Sequence, residues 1–225
     1  MEYVAGSHLD VYGDPAIGPI GTVLLWHGSG PNERDVLTGL AADVAAAGIQ
    51  VVVPDWDSTL PDGGRDQLLA SLEFARTVAA EAGHADRLVV GGWSLGGTAA
   101  ARLCLAGAVP SARAVCLAGD FDFPDPVTGV APITMIDDAG PGTAFWLTHG
   151  TADDIVPVDS SRGFAAALRE RRIPVHLTEV PTDHAGIVMT RYDEQLGRCL
   201  PSDAPAAVDA GNAAVRAFVA AVSSS

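Results

Sequence analysis

Continuous apolar runs alternate along this chain with segments of helical periodicity, and this alternation limits the possible folds most. The run at residues 21–26 lacks polar alternation, which is typical of a strand buried on both faces of a sheet. Strands are predicted over residues 21–26, 49–54, 87–91, 113–118, 144–147 and 175–180, and helices over 32–47, 66–82, 95–106, 160–172 and 206–222. Such alternation implies right-handed crossovers. We therefore expect an α/β fold: a mainly parallel sheet with helices on both faces, in three layers.

The remaining segments fit the same picture. The length of 225 residues suits one compact domain, so residues 1–225 are expected to form a single domain. Residues 2–5 and 9–12 predict a short opening hairpin. Residues 119–143 form a modest insertion between two predicted strands and carry five aspartates and four prolines without a helical period. A cap domain is therefore expected to be minimal or absent, which predicts an open cleft.

Composition excludes several classes of function. The formal net charge is -15, whereas nucleic acids and anionic membranes bind basic surfaces, so neither is expected as a partner of this protein. All 13 Lys+Arg residues are arginines, so chemistry that needs a lysine amine is excluded. Cys104, Cys116 and Cys199 lack the spacing of metal ligands, and no metal is expected. With no export signal or membrane span in the sequence, a cytoplasmic location is predicted.

Residues 91–97 read Gly-Gly-Trp-Ser-Leu-Gly-Gly and contain the pattern Gly-x-Ser-x-Gly. They follow a predicted buried strand and begin a predicted helix. A serine on such a turn needs strained backbone angles and small neighbours, which Gly92 and Gly96 provide. The helix N-terminus also favours negative charge as it develops. This context predicts Ser94 as a nucleophile, with the backbone N–H of Leu95 as one donor of an oxyanion hole.

A serine nucleophile needs a base, and six histidines are candidates. Only His184 lies just past the last predicted strand, at the sheet edge where Ser94 is expected. His8 is predicted in a turn, His84 in a connection between a helix and a strand, and His176 within a strand. These are poor positions for reaching the turn that carries Ser94. His184 is therefore the predicted general base.

Over most of its length the chain resembles the α/β-hydrolase superfamily, and it is similar to the small, lidless esterase and dienelactone-hydrolase-like members. The motif at Ser94 carries this resemblance, together with residues 149–157, which read His-Gly-Thr-Ala-Asp-Asp-Ile-Val-Pro and are similar to the family pattern His-Gly-x-x-Asp-x-x-Val-Pro. The resemblance implies structural roles for His27 and His149. It also implies the chain order Ser94, Asp153, His184 for nucleophile, acid and base.

The resemblance leaves two positions open to alternatives. Asp153 is the acid that the pattern selects, but Asp120 and Asp122 follow the predicted strand 113–118, where some hydrolases of this fold carry the acid. The second oxyanion donor maps to the backbone N–H of Ser29, in the loop His-Gly-Ser-Gly-Pro at residues 27–31. The same loop is also compatible with a plain glycine turn.

The predicted function is hydrolysis of a small carboxylic ester or thioester through an acyl-enzyme, without a metal or organic cofactor. Amide hydrolysis and perhydrolysis use the same three side chains and stay open. The alternative from another class is a non-catalytic protein of this fold that binds a small molecule. Trp56 follows a strand end and is interpreted as a packing residue. Oligomeric state is left open.

Overall fold

The computed structural model describes residues 1–4 and 6–224, so Ala5 of the predicted opening hairpin and the C-terminal Ser225 lie outside the described residues. Eight strands form one sheet in the order β1-β2-β4-β3-β5-β6-β7-β8. In chain order these strands are β1 (Glu2–Val4), β2 (Ser7–Tyr12), β3 (Thr22–Trp26), β4 (Gln50–Pro54), β5 (Leu88–Trp93), β6 (Arg113–Leu117), β7 (Ala144–Gly150) and β8 (Val175–Val180).

The six strands from β4 to β8 in the sheet order are parallel, whereas β1 and β2 join the edge in antiparallel pairs. This confirms the predicted mainly parallel sheet. The chain runs from β3 outward to β4 and then crosses back to β5 on the other side of β3. In open α/β sheets, ligands bind beyond the carboxyl ends of the strands at such a reversal. The loops that follow β3 and β5 are thus the expected position of a ligand site.

Five helices cover both faces of the sheet, as predicted: α1 (Thr38–Ala46), α2 (Arg65–Glu81), α3 (Leu95–Leu105), α4 (Val158–Glu170) and α5 (Pro205–Ser223). Alternate residues of a strand point to opposite faces. In β3, Leu24 and Trp26 belong to the core shared with α2, α3 and α4, and Val23 and Leu25 belong to the core shared with α1 and α5. Because both faces are covered, the strand is fully buried and apolar from Val23 to Trp26.

Three segments differ from the sequence-based expectation. The predicted helix 32–47 begins as a 3₁₀ turn, Arg34–Leu37, before α1. The insertion 119–143 contains a 3₁₀ helix, Pro132–Asp138, which packs on α3 and α4 and buries Ile136. An unpredicted hairpin, β9 (Thr190–Asp193) and β10 (Arg198–Pro201), forms a separate antiparallel pair after β8.

The length and hydropathy of a helix decide whether it could span a membrane. No helix in the described part of the chain is both long enough and apolar enough to cross a lipid bilayer.

The core on the α1 and α5 face depends on Phe218, which is fully buried. Its ring occupies the space above Gly91 of β5, where a Cβ would lie 2.5 Å from the Phe218 Cε1 atom. We predict that Phe218→Ala lowers the free energy of unfolding by about 3–5 kcal/mol, because it leaves a cavity over the central strand. Urea denaturation followed by circular dichroism measures this loss.

Phe123→Ala is the matched control, because the Phe123 ring is 55% exposed in the insertion. This variant is expected to stay within about 0.5 kcal/mol of the parent protein. Equal losses in the two variants would contradict the assignment of Phe218 to the core.

Candidate active site

Ser94 lies on the tight turn between β5 and α3. Its backbone has φ 55° and ψ -124°, in the region that residues with a side chain rarely adopt. A Cβ at Gly92 would lie 2.2 Å from the carbonyl carbon of Gly96, and a Cβ at Gly96 would lie 2.3 Å from the His27 carbonyl oxygen. The turn can close only with glycine at both positions, as the sequence motif predicted.

Backbone hydrogen bonds hold this turn in place. The Ser94 N–H donates to the Leu117 carbonyl oxygen of β6 at 2.8 Å, and its own carbonyl accepts from the N–H groups of Gly97 and Thr98. Leu95 is the first residue of α3, where an N–H has no partner inside the helix. The N-terminal end of α3 therefore presents backbone donors, and its dipole favours negative charge, next to Ser94.

The loop that follows β3 lies against the same turn. A Cβ at Gly28 would lie 3.2 Å from the Ser94 Cβ, and Ser29 lines the same cavity as Ser94. His27 anchors the loop from below, because its Nε2 accepts from the N–H groups of Glu33 and Trp56, each at 3.2 Å. The predicted donor Ser29 is thus brought to the side of Ser94.

His27 and Trp56 are packing residues. Both are fully buried, and their rings stack at 5.3 Å between centroids. Burial lowers the pKa of His27 to about 4, although its hydrogen bonds with Gly28 and Trp56 oppose the shift. The imidazole is therefore neutral near pH 7 and holds the loop in place. The sequence analysis expected a structural role for His27 and a packing role for Trp56.

His184 follows β8 and lies beside the turn that carries Ser94. The side chain of His184 is 11% exposed, and it lines the cavity together with Ser94. The Trp93 indole N–H donates to the His184 carbonyl oxygen at 2.9 Å, and the two rings lie 5.1 Å apart. The residue just before Ser94 thus holds the backbone of the predicted base.

Buried apolar residues fix the loop after His184. The 3₁₀ turn Gly186–Val188 is buried, and it packs on α5. A Cβ at Gly211 of α5 would lie 2.3 Å from the Met189 Cγ atom, so that the helix and the loop fit closely only because Gly211 lacks a side chain. This packing restricts the movement of the loop that carries the imidazole.

Asp153 contacts His184 directly. Its Oδ2 lies 2.7 Å from the His184 Nδ1 atom, and its Oδ1 accepts from the N–H groups of Ile155 and Val156. Burial alone would raise the pKa of Asp153, but hydrogen bonds from His149 and His184 and from a backbone N–H outweigh it and hold the pKa well below its ordinary value. The carboxylate stays ionised, so the His184 proton resides on Nδ1 and the Nε2 lone pair is left free.

His149 supports the carboxylate from the other side. Its Nε2 lies 2.9 Å from the Val156 carbonyl oxygen and 3.3 Å from the Asp153 Oδ2 atom, and its Nδ1 lies 2.7 Å from the Ser161 hydroxyl. Two acceptors face Nε2, so that nitrogen carries the proton and Nδ1 accepts from Ser161. His149 thus has the structural role that the resemblance implied.

The loops that carry acid and base are bonded to each other. The Thr151 N–H donates to the Val180 carbonyl oxygen at 2.8 Å, and the Ala152 N–H donates to the Thr182 carbonyl oxygen at 3.0 Å. A Cβ at Gly150 would lie 2.3 Å from that Thr182 oxygen. The glycine after the motif histidine is therefore required for this close approach.

The two alternative acids lie in other surroundings. The Asp120 Oδ1 atom accepts from the Ser160 hydroxyl of α4 at 3.1 Å and from the Asp122 N–H at 3.2 Å. Asp122 is exposed. Neither carboxylate contacts His184 among the described hydrogen bonds and ion pairs, whereas Asp153 does.

A cavity of about 590 Å³ opens over Ser94 and His184. The β9–β10 hairpin forms one wall, with Arg191, Tyr192, Arg198 and Cys199 among the lining residues. The sequence reasoning missed this wall and expected a more open cleft. Two short runs with aromatic or apolar residues flank a turn containing Asp193 and Gly197, which is the signal that could have revealed a hairpin.

Comparisons with known proteins bear on the fold. No family model and no curated protein matches this sequence. Among solved structures, a thermophilic esterase from the Planctomycetes species Thermogutta terrifontis superposes with a TM-score of 0.73 and 16% identity, covering 99% of this chain and 91% of that one. The form of that esterase phosphorylated by paraoxon superposes with a TM-score of 0.71 and 18% identity, covering 96% of this chain and 89% of that one.

These matches define the class of fold. The sheet order, the helices on both faces and the near-complete coverage show that this chain has the α/β-hydrolase fold. The two solved structures named above are of an esterase, at an identity where the likeness extends to the fold alone. The dienelactone-hydrolase-like branch stays a prediction.

Gly92→Ala tests the closure of the turn at Ser94. We predict a loss of several kcal/mol in the free energy of unfolding, or no folded protein, because the new methyl group would overlap the Gly96 backbone. Gly163→Ala is the matched control, since a Cβ there meets nothing within 4 Å on α4. It should stabilise the protein by up to about 1 kcal/mol. Urea denaturation compares the two, and a harmless Gly92→Ala would refute the geometry.

Proposed function

We propose that this protein is a serine hydrolase that cleaves small carboxylic esters or thioesters. In this proposal Ser94 is the nucleophile, His184 the general base and Asp153 the carboxylate that orients the base. The observation that carries it is the 2.7 Å contact between the His184 Nδ1 and the buried Asp153 Oδ2, behind the cavity wall that contains His184 and the strained Ser94. This arrangement is what a serine needs for activation near neutral pH.

In the acylation step, the Ser94 hydroxyl attacks the acyl carbon while its proton passes to the His184 Nε2. The carbonyl π electrons move to oxygen, and the backbone N–H groups of Leu95 and Ser29 are the proposed donors to that oxyanion. When the tetrahedral intermediate collapses, the C–O or C–S bond breaks and the leaving group takes the proton from His184. The acyl group is then bonded to the Ser94 Oγ.

In the deacylation step, water attacks the same carbon and gives its proton to His184. Collapse releases the carboxylic acid, and the Ser94 oxygen takes the proton back. The ionised Asp153 stabilises the imidazolium in both steps without itself accepting a proton. Neither a metal nor an organic cofactor is required in this scheme.

The size of the cavity supports a small substrate. A volume of about 590 Å³ is within the range of small-molecule sites, and residues 119–143 pack onto the helices on one face of the sheet. One solved structure with this fold is the Thermogutta terrifontis esterase with propionate bound, at a TM-score of 0.72 and 17% identity. By analogy of fold alone, short acyl groups are the first substrates to test.

A fluorophosphonate probe tests the nucleophile. We predict that the intact protein is labelled at Ser94, because the probe traps an activated serine, and that labelling disappears in Ser94→Ala. Mass spectrometry of the labelled peptide identifies the site, and an unchanged urea midpoint shows that the variant is folded. A folded parent protein that refuses the probe and short p-nitrophenyl esters would favour the non-catalytic binding alternative.

Substitution of the competing carboxylates tests the acid. Asp153→Asn is expected to lower kcat by about 10⁴-fold, because the amide would hold His184 in the wrong tautomer. Asp120→Asn and Asp122→Asn are the controls and should each cost less than about tenfold, since the Asp120 carboxylate accepts from the Ser160 hydroxyl and the Asp122 N–H, and Asp122 is exposed. Initial rates on p-nitrophenyl acetate measure all three, and a reversal of this order would move the acid to the β6 loop.

A further inference from the structure

We infer that the cavity over Ser94 selects esters that carry a cationic group and disfavours anionic ones, with Glu33 as the carboxylate that determines this specificity. The inference rests on the proposed function, and it adds the charge class of the substrate.

The charged residues of the cavity wall are unequal in number. Four carboxylates line it, against two guanidinium groups: Glu33, Asp154, Asp183 and Glu194 against Arg191 and Arg198. The protein as a whole carries a formal net charge of -15, so its field also concentrates cations at the entrance. An anionic substrate would meet repulsion both on approach and inside the cavity.

The two guanidinium groups already have partners. Arg191 pairs with Asp193 at 3.3 Å, and Arg198 pairs with Asp35 at 2.7 Å. Neither partner belongs to the cavity wall. By contrast, none of the four lining carboxylates forms an ion pair with an arginine or histidine of the described chain. The wall therefore keeps an excess of negative charge, although Arg198 offsets part of it at Glu33.

Glu33 is the lining carboxylate best placed to act on a bound ester. Its backbone N–H donates to the buried His27 Nε2 at 3.2 Å, which fixes its position. Its carboxyl group folds over Gly30, where a Cβ would lie 2.8 Å from the Glu33 Oε1 atom. The carboxylate thus lies beside Gly30, in the loop that also carries the proposed oxyanion donor Ser29, and Glu33 lines the same cavity as Ser94.

The surroundings of Glu33 favour a cationic ligand. Burial, and after it the charge of Asp35, raises the pKa of Glu33, whereas Arg198 opposes the shift. The ionised form is therefore stabilised less than it would be in water, and a cation in the cavity would relieve this cost. Tyr192 and Trp93 also line the cavity and offer aromatic surfaces, which attract ammonium groups.

Three acetate esters of similar shape but different charge test the inference: those of choline, of 3,3-dimethylbutanol and of 3-hydroxypropanoate. The choline ester and the dimethylbutyl ester differ only in a nitrogen cation in place of a carbon. We expect kcat/KM for the choline ester to exceed that for the neutral ester by about fivefold to tenfold at low ionic strength, and the anionic ester to be the slowest. Salt at about 0.5 M should reduce these differences.

Glu33→Gln should bring the ratio of the cationic to the neutral ester down to the ratio of their alkaline hydrolysis rates, because it removes the charge and keeps the shape. Both oxyanions form on the same acetyl group, so an effect of Glu33 on that oxygen largely cancels in the ratio. Glu81→Gln is the matched control: it removes one negative charge at the end of α2, near the start of β5 and thus at the opposite edge of the sheet. This variant should keep the ratio of the parent protein.

The outcomes separate the two levels of the proposal. If the neutral ester is hydrolysed and the choline ester is no better, the inference is overturned while the hydrolase function stands. A preference that survives Glu33→Gln overturns the assignment to Glu33. If no ester is hydrolysed, the function fails, and calorimetric titration of Ser94→Ala with the same esters still decides the charge preference, since equal affinities would refute it.

Discussion

The approach of three backbone segments at Gly92 and Gly96 is the constraint on which the rest of the site depends. Neither position has room for a methyl group, and the carbonyl of His27 lies directly over Gly96. The turn that presents Ser94 therefore also fixes the distance to the loop after β3. Trp93 extends the same arrangement to His184 through its indole N–H. One closely packed turn thus sets the relative positions of the proposed nucleophile, the proposed oxyanion loop and the proposed base.

Carboxylates occupy two different kinds of environment in this site. Asp153 has no exposed side-chain surface and is surrounded by hydrogen-bond donors, so its ionised form is stabilised within the protein. Glu33 is only half-buried, and no arginine or histidine among the described residues pairs with it. The first environment suits a group whose charge must persist through a reaction. The second leaves a charge available to whatever enters the cavity.

The sequence predicted the elements whose signals are local. Apolar runs located β3 to β7, and the glycine pattern around Ser94 located the turn, because strand burial and the need for small residues are both visible in the residues themselves. The pattern after β7 likewise selected Asp153, which the structure places against His184. The orientation of the backbone N–H groups of Ser29 and Leu95 is a matter of main-chain angles, and a sequence does not specify these.

What the sequence could not predict depends on tertiary packing. The hairpin of β9 and β10 is short and half-exposed, so its residues lack the apolar run that marks a buried strand. Glu33 lies within a segment predicted to be helical, but the first turn there is 3₁₀, and a bond to His27 fixes its backbone. Glu33 and the hairpin are far apart in the chain and become neighbours in the cavity wall only after the sheet has formed.

Among the described residues, the hairpin pairs only with itself and not with the main sheet. Arg191, Tyr192 and Arg198 are exposed, so substitutions at these positions have little effect on the central layers that position Ser94 and His184, whereas the buried Thr190 donates to the Ala185 carbonyl oxygen. Substitutions and insertions can therefore alter this wall during evolution while the proposed hydrolytic chemistry is retained. Among descendants of such a chain, the preferred substrate should diverge faster than the reaction.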